Sequence, residues 1–267
     1  MKIIPKSIFI TGTSSGPGQA TANLFLSLGY KVLGLHSGRN STSNPFDELE
    51  LDLSNPDNIT KLASSVFKYF GGAPEFVFLN AGLGQLSSVE DFPSNKARQM
   101  MEINFWAISD FVQSILPSYR EAQAGHIIIT GSVVADLHFP FKAHYSASKA
   151  ALQAYVGSLD QEVREFGIKI HILEPGWMRS EFHNRLKPQE TQVSQYKNRY
   201  KKFLDYKNDH NPKYPNGEDV ARVVLKITQN PPKRLRIAVG PDSKWLNRLS
   251  ALVGIPEFQR WLVKKIS

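Results

Sequence analysis

The chain contains no cysteine, which excludes disulfides and thiolate-bound metals together. Its histidines are scattered, with no His-Glu-x-x-His or comparable ligand spacing, so no metal is expected. No apolar run reaches 18 residues, and no membrane span is expected. Met1-Lys2-Ile3-Ile4-Pro5 enters a strand-like pattern at once and leaves no room for a signal peptide, so a cytoplasmic location is expected. A Pro/Gly/Ser-rich linker and internal repeats are also missing, and 267 residues fit one domain with a large core. The net charge of +8 comes without a recognisable nucleic-acid module or a continuous basic groove, so no nucleic-acid partner is expected.

What is present alternates. Lys6 to Thr11 is a short apolar run of the kind that forms a buried parallel strand. It enters Gly12-Thr13-Ser14-Ser15-Gly16-Pro17-Gly18, after which Gln19 to Leu28 turns helical with Ala20, Leu24 and Leu28 on one stripe. Lys31 to Leu35 is β-prone again. Strand, glycine loop, helix and strand within about thirty residues form a dinucleotide-binding unit, with glycines that let the backbone approach a pyrophosphate at the helix N-terminus. Apolar runs and helical patterns keep alternating beyond it, which predicts an α/β fold with a doubly wound parallel sheet flanked by helices.

The second signal is Tyr145-Ser146-Ala147-Ser148-Lys149, thirteen residues after Ser132. Positions i and i+4 share a helix face, so the ammonium can lie beside the phenol and favour its ionised form. Such a Tyr can exchange a proton with a substrate oxygen.

Both halves together resemble the short-chain dehydrogenase/reductase family, whose one-domain Rossmann members carry these motifs. Thr11-Gly12-x-x-x-Gly16-x-Gly18 matches the cofactor loop, including Ser14, Ser15 and Pro17. Asp52-Leu53 matches the acidic station at adenine, and Asn80-Ala81-Gly82 the end of the fourth strand. Asn104, Ser132, Tyr145 and Lys149 match the active-site residues, and Pro175-Gly176 matches the turn that lies against the nicotinamide, with Met178 and Ser180 following it. The resemblance covers roughly residues 6–180. It implies that Tyr145 is the general acid in carbonyl reduction and the base in alcohol oxidation. Lys149 lowers the Tyr pKa and holds the nicotinamide ribose, Ser132 binds the substrate oxygen, and Asn104 anchors a water that links Lys149 to solvent. It also implies a homo-oligomer, a dimer or tetramer.

Two departures from the family pattern carry information. Pro17 stands where Ile or Leu is usual; it suits a first helical turn but removes one N–H that could face the pyrophosphate. Cofactor binding is therefore expected to be weakened but kept. After the second strand, His36, Ser37, Gly38 and Arg39 replace the Asp of NAD-specific relatives. Ser37 and Arg39 can pair with a 2′-phosphate, so NADP(H) is favoured over NAD(H).

A variable lid is expected over about 177–215. Phe139, Trp177 and Phe182 suit the wall of a bulky apolar site, for a lipid, steroid, retinoid or aromatic ketone, or else pack the lid against the body. Charge is uneven: residues 1–184 hold 14 Lys+Arg against 17 Asp+Glu, and residues 185–267 hold 18 against 7. The segment 241–267 interleaves Trp245, Leu246, Leu249, Phe258 and Trp261 with Lys244, Arg248, Arg260, Lys264 and Lys265. It can dock on the body or a second subunit, or touch an anionic membrane peripherally. Because none of the family stations lies beyond Gly176, this segment is expected to serve location or assembly and not chemistry. The alternative to an enzyme is a nucleotide-binding regulatory or scaffolding protein of the same fold without turnover.

Overall fold

A computed structural model describes residues 2–38, 44–179, 193–208 and 214–266. Seven strands form one sheet: β1 (Ile3–Thr11), β2 (Lys31–His36), β3 (Asp47–Glu50), β4 (Ala73–Leu79), β5 (Gly125–Thr130), β6 (Ile168–Pro175) and β7 (Arg236–Val239). Their spatial order is β3-β2-β1-β4-β5-β6-β7, and every neighbouring pair is parallel. Parallel neighbours need crossovers, and helices supply them on both faces. These are α1 (Gly16–Ser27), α2 (Pro56–Phe70), α3 (Ser94–Met101), α4 (Ala107–Ala122) and α5 (Ala143–Val163), then α6 (Lys197–Asn208), α7 (Gly217–Gln229), α8 (Pro241–Val253) and α9 (Ile255–Ile266). This is the doubly wound Rossmann sheet that the sequence predicts. Strand order reverses between β1 and β4, and the crevice outside their carboxyl ends is where such folds bind ligands.

Apolar strands fill two core layers, one on each face. Phe9, Val77, Ile127 and Ile170 meet α2, α4 and α5 on one side. Ile8, Phe78, Ile128 and Leu173 meet α1 and α7 on the other. The expected stripe of α1 needs correction. Its buried residues are Gly18, Thr21, Ala22 and Phe25, whereas Leu28 is exposed. The helix starts earlier than its apolar pattern suggests. Gly18 lies flush on the Gly12 carbonyl, and the Thr21 hydroxyl donates to Pro17 O at 2.7 Å, so the small residues face inward.

A third cluster sits above the carboxyl ends of β5 and β6. Phe139, Trp177, Tyr200, Phe203, Leu246 and Phe258 are all buried in it. The segment from Pro241 onward therefore docks one face on the body through Leu246 and Phe258, while Trp245, Leu252, Val253 and Ile255 stay exposed. Among the described residues no helix is long and apolar enough to cross a membrane.

At the other end of the sheet, buried His126 on β5 and His171 on β6 bond to each other, Nε2 to Nδ1, at 2.8 Å. His171 Nε2 lies 2.9 Å from Pro232 O. A carbonyl only accepts, so His171 is protonated on Nε2 and His126 donates from its own Nε2; both rings are neutral. Burial, helped by His171 and Lys169, holds His126 down at about 3. The unfolded chain binds this proton near pH 6.5 and the folded chain does not, so the associated stability is present above pH 6.5 and lost as pH falls toward 3. At pH 5 the loss is about 2 kcal/mol. His126→Gln keeps a donor toward His171 without the titration. Its denaturant midpoint should fall less between pH 7 and pH 5 than that of the wild type; parallel pH profiles would show that the pair does not set the acid limb.

Candidate active site

The glycine loop forms because the chain must leave β1 and start α1 without blocking the crevice. Gly12 has φ +77, a left-handed conformation that favours glycine, and its N–H donates to Leu35 O at 2.8 Å. A Cβ on Gly18 would sit 2.2 Å from the Gly12 carbonyl oxygen, so loop and helix touch only because that carbon is missing. Ser15 caps α1 with extended backbone and makes no side-chain capping bond. The first turn contains Pro17 and no acidic residue. Such an N-terminus fits a diphosphate.

Asn80 ties three strand ends together. Its N–H donates to Thr11 Oγ1 at 2.9 Å, its Nδ2 to Thr11 O at 3.3 Å, and its Oδ1 accepts from Thr130 Oγ1 at 3.2 Å. Ala81 N–H also reaches Thr11 Oγ1, at 3.0 Å. Gly82 follows beside Lys149, whose Nζ would lie 3.8 Å from a Cβ there. Asp52 is exposed and turns back on Ser54, accepting from its N–H and its hydroxyl at 2.8 Å each. Leu53 points into the core, so only its backbone is available to a ligand.

At the carboxyl end of β5, Ser132 opens a short turn over Val133–Ala135 and bonds its hydroxyl to Tyr145. Tyr145 and Lys149 both belong to α5, one turn apart. Lys149 Nζ is buried and donates to Thr130 O at 2.6 Å; it stands 6.0 Å from the centre of the Tyr145 ring. Burial pushes Lys149 down to about 8. The expectation that Lys149 lowers the Tyr145 pKa is not met. Burial pushes the phenol up to about 12, and the Ser132 hydroxyl offsets only part of that rise. Desolvation outweighs an ammonium that is itself buried and turned to a carbonyl.

Asn104 lies in a π turn, Glu102–Trp106, inserted between α3 and α4. Its Oδ1 accepts from Leu83 N–H at 2.8 Å, and its Nδ2 donates to Leu83 O at 2.8 Å and to Ser148 Oγ at 2.9 Å. Ser148 Oγ donates to Tyr145 O at 2.8 Å. Both amide hydrogens are committed, so the side chain braces Leu83 against α5.

Phe139 and Trp177 are buried against each other, with ring centres 5.6 Å apart, and Trp177 also meets Phe203 of α6. In this arrangement they pack α6 against the body and do not line an open wall. Met178 is partly buried against the core layer on the α1 side. Arg39, Ser180 and Phe182 lie outside the described residues. Ser37 is exposed, and beside it His36 Nδ1 accepts from Gly38 N–H at 2.9 Å.

Three contributions escaped the sequence reading. Gln85 Oε1 accepts from the N–H groups of His144 and Tyr145, at 2.8 and 3.4 Å, and so holds the first turn of α5. Lys142, buried, places its ammonium 4.6 Å from the Trp177 ring centre and 5.4 Å from that of Tyr145. Near the end of β2, Glu50 approaches Gly38 closely enough that a Cβ there would meet its Oε1 at 2.2 Å. Each depends on a partner remote in sequence and leaves no local signal.

Comparison with known proteins gives a consistent picture. Residues 6–191 match the family model described as short chain dehydrogenase. The mouse dehydrogenase/reductase SDR family member 7B is 30% identical over 186 residues, 64% of this chain and 57% of that protein's length. A 3-ketodihydrosphingosine reductase of Bacteroides thetaiotaomicron is 28% identical over 241 residues, covering 89% of this chain and 88% of the relative. Among solved structures, a short chain dehydrogenase of Burkholderia cenocepacia in complex with NADP aligns with TM-score 0.76 at 19% identity, over 96% of each chain. One from Burkholderia phymatum in complex with NAD aligns with TM-score 0.77 at 22% identity, over 92% of each.

Proposed function

Because this chain belongs to the short chain dehydrogenase family, we propose that it interconverts a carbonyl and an alcohol at the Ser132–Tyr145–Lys149 cluster, using a bound nicotinamide dinucleotide. The observation that carries the reading is the hydrogen bond between Ser132 and Tyr145 at the carboxyl ends of the strands, with buried Lys149 one turn away.

The cofactor cradle fits the group. The left-handed Gly12, the missing Cβ of Gly18 and a first turn of α1 with no side-chain capping bond and no acidic residue support phosphates held at this helix start. When bound, the nicotinamide supplies or accepts the hydride. The chain's own residues manage the proton. Tyr145, protonated at neutral pH, is in the state that carbonyl reduction needs, and gives its proton to the substrate oxygen. Ser132 donates to the same oxygen and stabilises the charge that develops there. Lys149 restores positive charge near the phenol and holds the nicotinamide ribose.

The NADP(H) reading rests on the missing Asp after β2 and on Ser37 with Arg39. Glu50 beside Gly38 favours NAD(H) as a second reading, because a carboxylate there would repel a 2′-phosphate. Fluorescence titration with NADPH and NADH separates the two: tighter NADPH is expected, and tighter NADH would transfer the role to Glu50. A screen of apolar carbonyls while following nicotinamide absorbance tests the reaction. The relative named as a 3-ketodihydrosphingosine reductase supports a bulky apolar substrate.

The homo-oligomer draws support from Trp106, a large exposed ring on the α3–α4 helix. Peripheral contact with an anionic membrane draws support from exposed Trp245, Leu252, Val253 and Ile255 beside Lys244 and Arg248.

A further inference from the structure

The turn that carries Pro175 and Gly176 is gripped from the far end of the chain. α8 begins after Gly240, and its first turn is aimed at the end of β6. Asp242 Oδ2 accepts from the Trp177 N–H at 2.7 Å. Ser243 Oγ donates to Glu174 O at 2.6 Å, and Asn247 Nδ2 donates to Glu174 Oε2 at 3.1 Å. These three bonds straddle Pro175 and Gly176 on both sides.

The glycine at 176 is explained by the same carboxylate. Its φ lies outside the left-handed region, so the backbone by itself would accept alanine. A Cβ there, however, would lie 2.0 Å from Asp242 Oδ2. The missing methyl is the space the carboxylate occupies. Burial raises the acid's pKa against the hydrogen bonds that the carboxylate accepts from the backbone, that of Trp177 first.

We propose that Asp242 is a positioning residue that fixes the nicotinamide-facing turn, so that the α8–α9 pair takes part in cofactor geometry and not only in location or assembly. This inference rests on the nicotinamide-dependent reading of the site. It places the effect on one half of the dinucleotide: the glycine loop grips the phosphates from α1, far in sequence from Asp242, while the turn at 175–177 meets the nicotinamide.

That division gives the test. The full chain and its Asp242→Ala and Asp242→Asn variants are titrated with the tighter-binding of NADPH and NADH. They are also titrated with its nicotinamide-free fragment, 2′-phospho-ADP-ribose or ADP-ribose. Asp242→Ala should weaken the whole dinucleotide tenfold or more and leave the fragment within about twofold. Asp242→Asn, whose amide oxygen can still accept from Trp177, should stay within about threefold for both. An unchanged dinucleotide affinity in Asp242→Ala, or equal losses for dinucleotide and fragment, would overturn the proposal. If Asp242→Ala does not fold, Gly176→Ala replaces it. Its added methyl displaces the carboxylate and should produce the same selective loss, and equal or no losses there count against the proposal. A wild-type chain that binds neither dinucleotide overturns the underlying reading, and the inference with it, whereas dinucleotide binding without selective loss overturns the inference alone.

Discussion

On the proposed chemistry, Tyr145→Phe should lower turnover of a carbonyl substrate by about 10²- to 10⁴-fold, the contribution of a positioned general acid. The variant removes only the oxygen. The ring keeps its place in the third core cluster, and the N–H groups of His144 and residue 145 keep their bonds to Gln85. Lys149 keeps its bond to Thr130 O, so its position is undisturbed. Dinucleotide affinity should therefore change little, and the loss should fall on kcat. Steady-state rates and a separate binding titration read the two quantities. Near-normal turnover would falsify the assigned chemistry and leave the scaffolding alternative standing.

Phe258→Ala destabilises the protein by about 3–5 kcal/mol, as expected for a fully enclosed aromatic side chain. Phe258 is 0% exposed and packs on Trp261 and the aromatic cluster that carries Trp177, Tyr200 and Phe203. Leu252→Ala, on the same helix pair but 83% exposed, should stay within about 0.5 kcal/mol. Urea midpoints for the two variants make the comparison. Equal midpoints would mean that α9 does not lie on the body in solution.

The βα order, the glycine loop and the Ser132, Tyr145, Lys149 and Asn104 stations were legible because each is a local pattern with a local consequence. A strand-to-helix turn without side chains, or two groups one helical turn apart, announces itself in a few consecutive letters. What stayed hidden is non-local. Gln85 reaches residue 144 across 59 positions, and Asp242 reaches Trp177 across 65. Neither type of residue is unusual where it stands. The face of α1 was misread because hydrophobicity marked Leu24 and Leu28, whereas close backbone approach at Gly18 decided how the helix is rolled. The Tyr145 pKa was misjudged for a related reason: sequence shows which charge is near but not how much water is lost around both groups.

The π turn at Glu102–Trp106 has a geometric consequence for the whole α3–α4 rod. Each α-helical residue advances the side-chain direction by about 100°. A regular helix through this segment would have one phase from end to end. It would put Asn104 in line with Ile108, Phe111 and Ile115, which stand at i+4, i+7 and i+11 on the buried face of α4. The wide turn, in which Ala107 N–H reaches back to Glu102 O, acts as a phase slip of one residue. The slip turns Asn104, which holds Leu83, out of line with the residues that α4 lays on the core. Removing one residue there would bring Asn104 back into line with the buried face of α4, about 100° from the direction in which it now holds Leu83.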